Sequence, residues 1–279
     1  MKSHVLIFFF IQFYLSCYSQ EVSLMTYNIR LDVASDGENA WPNRREKLVS
    51  QIQFYTPDIF GIQEGLPHQV KYIEDQMSGY NFIGQGRDGE NKGEYSALYF
   101  NVNEYAVEQQ GTFWLSETPG EVSMGWDASY PRICTYGLLV NKNIGVRFFV
   151  FNTHLDHIGN VARKKGLELI LQKMEELNTA NLPVVLMGDF NLEPQSAAIS
   201  MLNKQMNDSK DISIEPSFGP EGTFNAFRFQ SIATKRIDYV FVSKSEKIEV
   251  QKYGVLNNSY NLKYPSDHFP VYVKMLIRK

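Results

Sequence analysis

The side chains best suited to chemistry in this sequence follow runs of apolar residues. Six short stretches place an acid, an amide or an imidazole at or just past the end of such a run. These stretches cover residues 26–28, 62–64, 152–154, 188–191, 236–239 and 266–268. One stretch alone is compatible with a turn or a helix cap. Six together predict buried strands whose ends gather groups that bind metal or transfer protons, as in enzymes.

Hydrophobic periodicity predicts the elements that position these groups. The predicted strands cover residues 22–28, 59–62, 95–100, 111–115, 133–140, 146–152, 184–187, 237–242, 248–253 and 271–277. Apolar residues at helical spacing predict helices over 67–77 and 160–177, and another that begins at Trp41 and stops before Pro57. Antiparallel strands mixed with crossover helices favour an α/β fold of two packed sheets with helices outside.

The composition is that of a globular chain with a core of its own. The 279 residues are 43% hydrophobic and include 19 Phe, 16 Tyr and 3 Trp, which excludes a disordered chain. The formal net charge of −4 gives no sign of a basic surface for nucleic acid. No linker, repeat or charge block is visible beyond the N-terminal segment, so we expect one domain over residues 20–279.

The N-terminal segment has the features of a secretory signal peptide. Lys2 precedes the apolar run 5–11, and the small residues Cys17 and Ser19 fit cleavage before Gln20. We therefore expect residues 1–19 to be removed and the mature protein to be secreted or periplasmic.

Two other interpretations of this segment are less favoured. A membrane span needs about 20 apolar residues, and Gln12 interrupts a shorter run here. A lipoprotein anchored through Cys17 would carry Leu where Tyr14 stands. Cleavage leaves Cys134 as the single cysteine, so no intrachain disulfide is expected.

The six stretches, in this order, resemble the endonuclease/exonuclease/phosphatase superfamily over Val22 to about Val273. Gly-Asp-Phe-Asn at 188–191 and Ser-Asp-His-Phe-Pro-Val at 266–271 are the specific motifs, whereas Ile-Gln-Glu at 62–64 alone would be weak. The opening Tyr-Asn-Ile-Arg at 27–30 is similar to that of a secreted bacterial subgroup. The resemblance implies a four-layer α/β sandwich of two packed mixed, mostly antiparallel β-sheets with helices on both outer faces. It also implies Mg²⁺-dependent hydrolysis of phosphoesters.

The acidic and amide side chains suit a magnesium site. Mg²⁺ takes oxygen ligands and needs only one or two carboxylates besides water and substrate. Glu64 is the favoured carboxylate, and Asn28 offers an amide oxygen or orients Glu64. The resemblance adds Asp267 as a third ligand and leaves Mn²⁺ as an alternative ion. A zinc site would want His and Cys ligands at local spacing, and only His154 and His157 come near that pattern.

Phosphoester cleavage needs an activated water and groups that neutralise the phosphoryl oxygens. Asp189 is the candidate that orients or deprotonates the water. The resemblance implies that Asn191, two residues later, donates a hydrogen bond to a phosphoryl oxygen. It also implies that His154 contacts the phosphate and assists the leaving group.

A second histidine is expected to work with a distant acid. His268 follows Asp267, but neighbours on an extended chain point in opposite directions. We therefore expect Asp238 to be its partner, fixing the tautomer of the imidazole and favouring the protonated form. This Asp238–His268 dyad would hold the scissile phosphate or assist proton transfer.

Basic side chains near these motifs are candidates for substrate binding. A guanidinium matches the oxygens of phosphate, which makes Arg30 and Arg132 candidate contacts. His157 is a further candidate, with a surface or helix-capping role as its alternative. Arg44 and Arg45 lie early in a predicted helix, where a solvated charge is the commoner situation.

The sequence therefore predicts a secreted phosphoesterase that attacks a phosphodiester or phosphomonoester in line with water. Its acidic composition favours a compact substrate, such as a nucleotide, a sugar or inositol phosphate, or a phospholipid head group. The alternatives are a DNase I-like nuclease and, from another class, a non-catalytic module that binds a phosphate ligand. We expect a monomer with no stable nucleic-acid partner and, after processing, no membrane span.

Overall fold

The computed structural model describes residues 19–279 as two six-stranded β-sheets with helices. The strands are β1 (Ser19–Asn28), β2 (Ile59–Gln63), β3 (Tyr80–Ile83), β4 (Leu98–Asn101), β5 (Tyr105–Trp114), β6 (Ile133–Asn141), β7 (Arg147–His154), β8 (Val184–Asp189), β9 (Met206–Asp208), β10 (Asp238–Ser243), β11 (Ile248–Val255) and β12 (Val271–Arg278). The helices are α1 (Trp41–Tyr55), α2 (Pro67–Gln76), α3 (Asn160–Leu177), α4 (Ala197–Gln205) and α5 (Ser209–Ile212), with a 3-10 helix over Ala34–Asn39.

Each sheet contains one parallel pair of strands near its centre. The first sheet has the order β11-β12-β1-β2-β4-β3, and the second has the order β5-β6-β7-β8-β10-β9. β1 and β2 are parallel and are joined through α1, while β7 and β8 are parallel and are joined through α3. The other strand pairs of residues 19–279 are antiparallel. A parallel pair brings two carboxyl ends to the same edge of its sheet.

Alternation of side chains along the strands builds four layers. In β1, Leu24 packs into the apolar core between the sheets, whereas Met25 packs outward with Leu48 of α1. On the other side, Phe151 of β7 packs outward with Leu167 of α3. The layers are therefore helix, sheet, sheet and helix, which confirms the fold class that the sequence indicates.

Local sequence sets the bounds of α1. Pro42 lies in the first turn, where its missing N–H removes no intrahelical hydrogen bond. Thr56 ends the helix in a left-handed conformation with φ of 43°, and Pro57 cannot continue it. The apolar face contains Leu48 and Ile52, both fully buried. α1 therefore begins and ends where the sequence predicts.

Sequence prediction missed five elements, namely β3, β9, α4, α5 and the 3-10 helix over Ala34–Asn39, and shifted two others. β3 and β9 have four and three residues, too few for a periodic pattern to be read. The predicted strand over 95–100 begins only at Leu98, because Tyr95 makes isolated bridges to Gly65 and Gly86 instead. The predicted strand at 111–115 belongs to β5, which starts earlier.

The predicted signal peptide, residues 1–19, lies outside the described residues except for Ser19. That residue opens β1 and pairs with Arg278 of β12. Within residues 19–279, every helix is too short or too polar to cross a membrane.

Candidate active site

The carboxyl ends of the two parallel pairs meet at one edge of the sandwich. Asn28 ends β1 and Glu64 follows β2, while His154 and Asp189 end β7 and β8. The Asn28 Nδ2 atom donates to Glu64 Oε1 and to Asp189 Oδ2, each at 2.9 Å. Asp238, the first residue of β10, lies directly opposite Asp189 in the ladder. Strands of both sheets thus place their polar ends around one point.

Asn28 and Glu64 form the part of the site that belongs to the first sheet. Asn28 is fully buried, and its Oδ1 atom accepts the main-chain N–H of Arg30 at 3.0 Å. Its amide nitrogen, rather than its oxygen, therefore faces the two carboxylates. Glu64 adopts a left-handed backbone with φ of 64°, and its Oε2 atom accepts the main-chain N–H of Leu31 at 3.1 Å. Asn28 and Leu31 fix the orientation of the Glu64 carboxylate.

Asp189 is the most connected side chain of the site. Its Oδ1 atom accepts the main-chain N–H of Asn191 at 2.9 Å. Its Oδ2 atom lies 3.5 Å from His154 Nε2 and 3.7 Å from His268 Nε2. Burial and then the neighbouring Asp238 carboxylate raise the pKa of Asp189, and His268 partly offsets this rise. A carboxylate held between two imidazoles can orient a water molecule or accept its proton.

His268 and Asp238 form a buried pair. His268 Nδ1 lies 2.9 Å from Asp238 Oδ2, and both side chains are almost inaccessible. Burial by itself lowers the pKa of His268, but the carboxylates of Asp238, Asp189 and Asp267 outweigh it and hold that pKa well above its usual range. His268 therefore brings a positive charge to the centre of the site.

His154 also approaches Asp189 Oδ2, but its pKa is shifted in the other direction. Burial, followed by the nearby Arg132 guanidinium, lowers the pKa of His154 well below its usual range. Asn191, whose φ is 50°, places its Nδ2 atom 3.1 Å from His154 Nε2 and 3.1 Å from the Leu155 carbonyl oxygen. The two imidazoles near Asp189 Oδ2 thus have pKa values shifted in opposite directions, which favours the neutral form of His154 and the protonated form of His268.

Asp267 and Arg30 lie at the edge of this group. Burial raises the pKa of Asp267, and the neighbouring Glu64 adds to the rise while His268 opposes it. Arg30 Nε is 4.0 Å from Asp267 Oδ2. The Arg30 guanidinium is already held by Asp36 through two hydrogen bonds of 2.9 Å. Arg30 is therefore anchored beside the site rather than extended into solvent.

The donor set fits a hard divalent cation. Ligand atoms of Glu64, His154 and Asp189 all lie within 4.8 Å of one another. The raised pKa values of Asp189 and Asp267 reflect buried negative charge that the protein compensates only in part. A cation among these carboxylates would remove that penalty, and oxygen-rich sites favour Mg²⁺ or Mn²⁺ over softer metals.

Arg132 and His157 come together at the rim, next to His154. Arg132 is 5% exposed, with its Nε atom 3.4 Å from Asp156 Oδ2 and its Nη2 atom 3.2 Å from His157 Nδ1. The exposed His157 ring stacks on Tyr130 at 6.0 Å between centroids. Arg132 lines a small recess together with His154, so it is close to the catalytic cluster.

Two buried amides below the site connect the sheets, and sequence reasoning assigned them no role. Gln63 Nε2 donates to Asn152 Oδ1 at 2.7 Å. Asn152 Nδ2 in turn donates to the carbonyl oxygens of Ile62 at 3.0 Å and Ala97 at 2.9 Å. Gly61 is required opposite them, because a Cβ there would lie 2.6 Å from the Asn152 side chain. The sequence feature that could have indicated their role is an uncharged amide within an otherwise apolar predicted strand.

Arg44 corrects an expectation. Its side chain is buried, not solvated, and its guanidinium donates to several main-chain carbonyl oxygens. The acceptors include Arg30 and Asn39, each at 2.7 Å, and Pro265 at 3.1 Å. Arg44 therefore joins the loop that carries Arg30 to the segment that leads into Asp267. Arg45 is half-buried, with its guanidinium 4.7 Å from the Tyr72 ring centroid.

Comparison with known proteins agrees with this geometry. The sequence model of the Endonuclease/Exonuclease/phosphatase family matches residues 25–268. The solved mannosyl-6-phosphatase of Bacteroides thetaiotaomicron is 38% identical, with a TM-score of 0.87 over 91% of this chain and 99% of that one. A family protein from the same organism is 36% identical, with a TM-score of 0.89 over 94% and 97% of the two chains.

A more distant similarity points to nucleic-acid enzymes. Tyrosyl-DNA phosphodiesterase 2 of Rattus norvegicus is 26% identical over 180 residues, which are 63% of this chain and 43% of the relative. This chain thus matches less than half of that longer protein.

The fold and the site together define a phosphoesterase, a hydrolase that acts on phosphate ester bonds. The chain belongs to the Endonuclease/Exonuclease/phosphatase family, whose members depend on metal ions.

Proposed function

We propose that this protein is a Mg²⁺-dependent phosphatase acting on a sugar phosphate, with inositol phosphates, nucleotides and phospholipid head groups as the other compact substrates. The arrangement that carries the proposal is Asp189, held between neutral His154 and protonated His268 beside the Glu64 carboxylate. Such a group can hold one phosphoryl centre and one water molecule on the same few side chains.

Each side chain has a proposed task in this reaction. Asp189 orients the attacking water and accepts its proton. His268, kept protonated by Asp238, neutralises charge that develops on the phosphoryl oxygens. The Asn191 amide donates a hydrogen bond to a phosphoryl oxygen, and the neighbouring His154 contacts the phosphate and assists the departing alcohol. Arg132 binds a phosphate oxygen from the rim, with Arg30 and His157 as further contacts.

Glu64, Asp267 and Asn28 are proposed to hold the cation or to orient its ligands. A bound Mg²⁺ supplies Lewis-acid polarisation of the phosphoryl group and stabilises the leaving oxygen. The protein's own contribution is to keep these carboxylates in place, which Asn28 does through its two hydrogen bonds of 2.9 Å.

The proposed substrate class rests on one relative and on charge. A mannosyl-6-phosphatase is 38% identical over almost its whole length, which is a much closer similarity than that to tyrosyl-DNA phosphodiesterase 2. The net charge of −4 also disfavours a polyanionic strand. The alternative is a nuclease or DNA phosphodiesterase, which the second relative favours. A binding module without turnover is a second alternative.

The deciding experiment is a hydrolysis panel with the chain from Gln20 onward. Mannose 6-phosphate, glucose 6-phosphate, p-nitrophenyl phosphate, bis-p-nitrophenyl phosphate and plasmid DNA are assayed with Mg²⁺, with Mn²⁺ and with EDTA. We expect EDTA-sensitive release of phosphate from the sugar phosphates. Faster cleavage of plasmid DNA or of the diester would favour the alternative, and no release from any substrate would favour the binding module.

We also propose export of this enzyme through the segment 1–19. The support is the sequence pattern of Lys2, the apolar run and the small residues before Gln20. N-terminal sequencing of the protein recovered outside the cytoplasm is expected to begin at Gln20. A start at Met1 would contradict the proposal, and a lipid-modified Cys17 would indicate the lipoprotein alternative.

A further inference from the structure

A recess one water molecule in size opens beside the catalytic cluster. Its free volume is about 10 Å³, and its walls include Arg87, Glu94, Ser96, Arg132 and His154. This volume accommodates about one oxygen atom with its hydrogens. Because His154 belongs also to the phosphate-facing group, a substrate whose phosphate occupies the site would place its neighbouring atoms near this recess.

The loop between β3 and β4 builds the polar wall of the recess. The main-chain N–H of Arg87 donates to the Glu94 carbonyl oxygen at 2.9 Å, which pairs the two residues across the loop. Their side chains form an ion pair of 2.7 Å between Arg87 Nη2 and Glu94 Oε1. The Tyr130 ring lies 4.8 Å from the guanidinium carbon. The positions of Arg87 and Glu94 are therefore fixed before any substrate binds.

The wall of the recess has both a hydrogen-bond donor and acceptor positions that no described residue uses. The Arg87 Nε atom is buried and has no hydrogen-bond partner among the described residues. A carboxylate offers about four acceptor sites, and Arg87 Nη2 contacts only one oxygen of Glu94. The hydroxyl of Ser96, a residue that is 2% exposed, can donate or accept a hydrogen bond. The recess thus offers hydrogen bonds in both directions.

This combination selects among chemical groups. A phosphate oxygen only accepts hydrogen bonds at neutral pH, so it could pair with Arg87 but would leave the half-buried Glu94 carboxylate facing a second negative charge. A methyl group would leave Arg87 Nε without a partner and the free acceptor positions of Glu94 unused. An alcohol hydroxyl donates to a carboxylate and accepts from a guanidinium at the same time, so it satisfies both groups.

We propose that this recess is the specificity subsite for one hydroxyl group of a polyhydroxylated substrate, a sugar phosphate. Glu94 accepts the hydroxyl hydrogen, and Arg87 donates to its oxygen. The inference rests on the proposed phosphatase function and adds to it the residues that recognise the sugar portion. It also explains why an acidic side chain lies so near a phosphate site.

The test compares substrates with and without hydroxyl groups. In Glu94→Gln we expect kcat/KM for mannose 6-phosphate to fall at least about tenfold, because a buried hydroxyl loses its charged partner. The kcat/KM for p-nitrophenyl phosphate, which has no hydroxyl to place, should stay within about threefold. Glu108→Gln is the matched control, because Glu108 pairs with Arg147 on the exposed surface.

Single-deoxy analogues of mannose 6-phosphate identify the hydroxyl. For one analogue, removing the hydroxyl should lower wild-type kcat/KM about as much as Glu94→Gln does, and the two changes together should add little further loss. Ser96→Val, which fills the recess, should reproduce the pattern if Glu94→Gln fails to fold.

Three results would overturn the inference. Equal losses of kcat/KM for mannose 6-phosphate and p-nitrophenyl phosphate would show that Glu94 has a structural role. No loss of kcat/KM for either substrate would indicate that the recess holds a water molecule and not a substrate hydroxyl. Additive losses for every analogue would exclude a direct contact. If wild type hydrolyses p-nitrophenyl phosphate but no sugar phosphate, the substrate class in the proposed function fails as well.

Discussion

The two parallel strand pairs have the same local topology but end in different chemistry. β1 and β2, joined through α1, end in Asn28 and the half-buried Glu64. β7 and β8, joined through α3, end in His154 and Asp189, both buried. The first pair offers a carboxylate that suits a cation and an amide whose nitrogen orients that carboxylate. The second offers an imidazole and a carboxylate, which suit water and phosphate.

A contact between the two strand pairs means that neither pair alone positions its polar side chains. One amide nitrogen, Asn28 Nδ2, donates to a carboxylate from each pair. The position of Asp189 in the second pair therefore depends on Asn28 of the first pair, and the position of Asn28 depends in turn on Asp189. The comparison teaches that a repeated framework can place unlike groups face to face, as the proposed binding of an ion and a phosphate between them requires. The variants below test this division.

The largest effect is expected in the second pair. Asp189→Asn keeps the shape of the side chain but removes the proton acceptor, so kcat should fall by about 10²- to 10⁴-fold. Steady-state kinetics on p-nitrophenyl phosphate measures this loss, and thermal unfolding checks the fold. Asp211→Asn, on the exposed α5, is the control and should match wild type. Near-wild-type kcat in Asp189→Asn would remove Asp189 from the reaction.

The first pair should respond differently. Glu64→Gln removes a charge from the proposed cation ligands, so the Mg²⁺ concentration for half-maximal rate should rise at least about tenfold. A metal titration of the rate provides the measurement, with Asp211→Asn again as control. An unchanged titration would remove Glu64 from the metal site and would end the proposed division between the pairs.

The link between the sheets should matter for stability. Asn152→Ala removes three hydrogen bonds, those to the Gln63 amide and to the carbonyl oxygens of Ile62 and Ala97. Gln63 Nε2 keeps its bond to Thr26 Oγ1, and the Ala97 carbonyl keeps the Ile62 N–H. The free energy of unfolding should fall by about 1–3 kcal/mol, measured by urea denaturation. Asn143→Ala, in the exposed turn between β6 and β7, should change it by less than about 0.5 kcal/mol. Equal losses of unfolding free energy in Asn152→Ala and Asn143→Ala would show that the Gln63–Asn152 link contributes no more to stability than an exposed turn residue does.

The smallest change is expected from Asp36→Asn. This variant weakens the pair that holds Arg30, which is partly solvent-exposed, so the free energy of unfolding should fall by no more than about 1 kcal/mol. If Arg30 serves the substrate, KM should rise while kcat stays constant. A KM identical to that of wild type would place Arg30 outside the substrate contacts.

Much of the fold could be read from sequence because both parallel pairs consist of buried apolar strands. The ends of these strands carry residue types, at 28, 64, 154 and 189, that are uncommon in a buried position. The alternation of side chains along an extended chain also predicts that Asp267 and His268 point in opposite directions. Such signals are local, so one sequence suffices to detect them.

The missed features depend on contacts between distant segments. Nothing near Arg44 in the sequence shows that carbonyl groups from residues 39 and 265 surround it. The bond between Gln63 and Asn152 joins positions 89 apart in the chain. The pairing of Arg87 with Glu94 depends on how one loop folds back on itself. Side-chain packing of this kind is not visible in periodicity.

Three residues around the site have left-handed backbones although they are not glycine. Arg30, Glu64 and Asn191 have φ of 56°, 64° and 50°. Such a backbone disfavours a residue with a Cβ atom by roughly 1–2 kcal/mol relative to glycine, with Asn the least affected. A laboratory selection for thermal tolerance alone would therefore drift toward glycine at these positions and would remove the side chains to which the proposed reaction assigns tasks. Under that assignment, heat resistance and turnover make opposite demands on the same three residues.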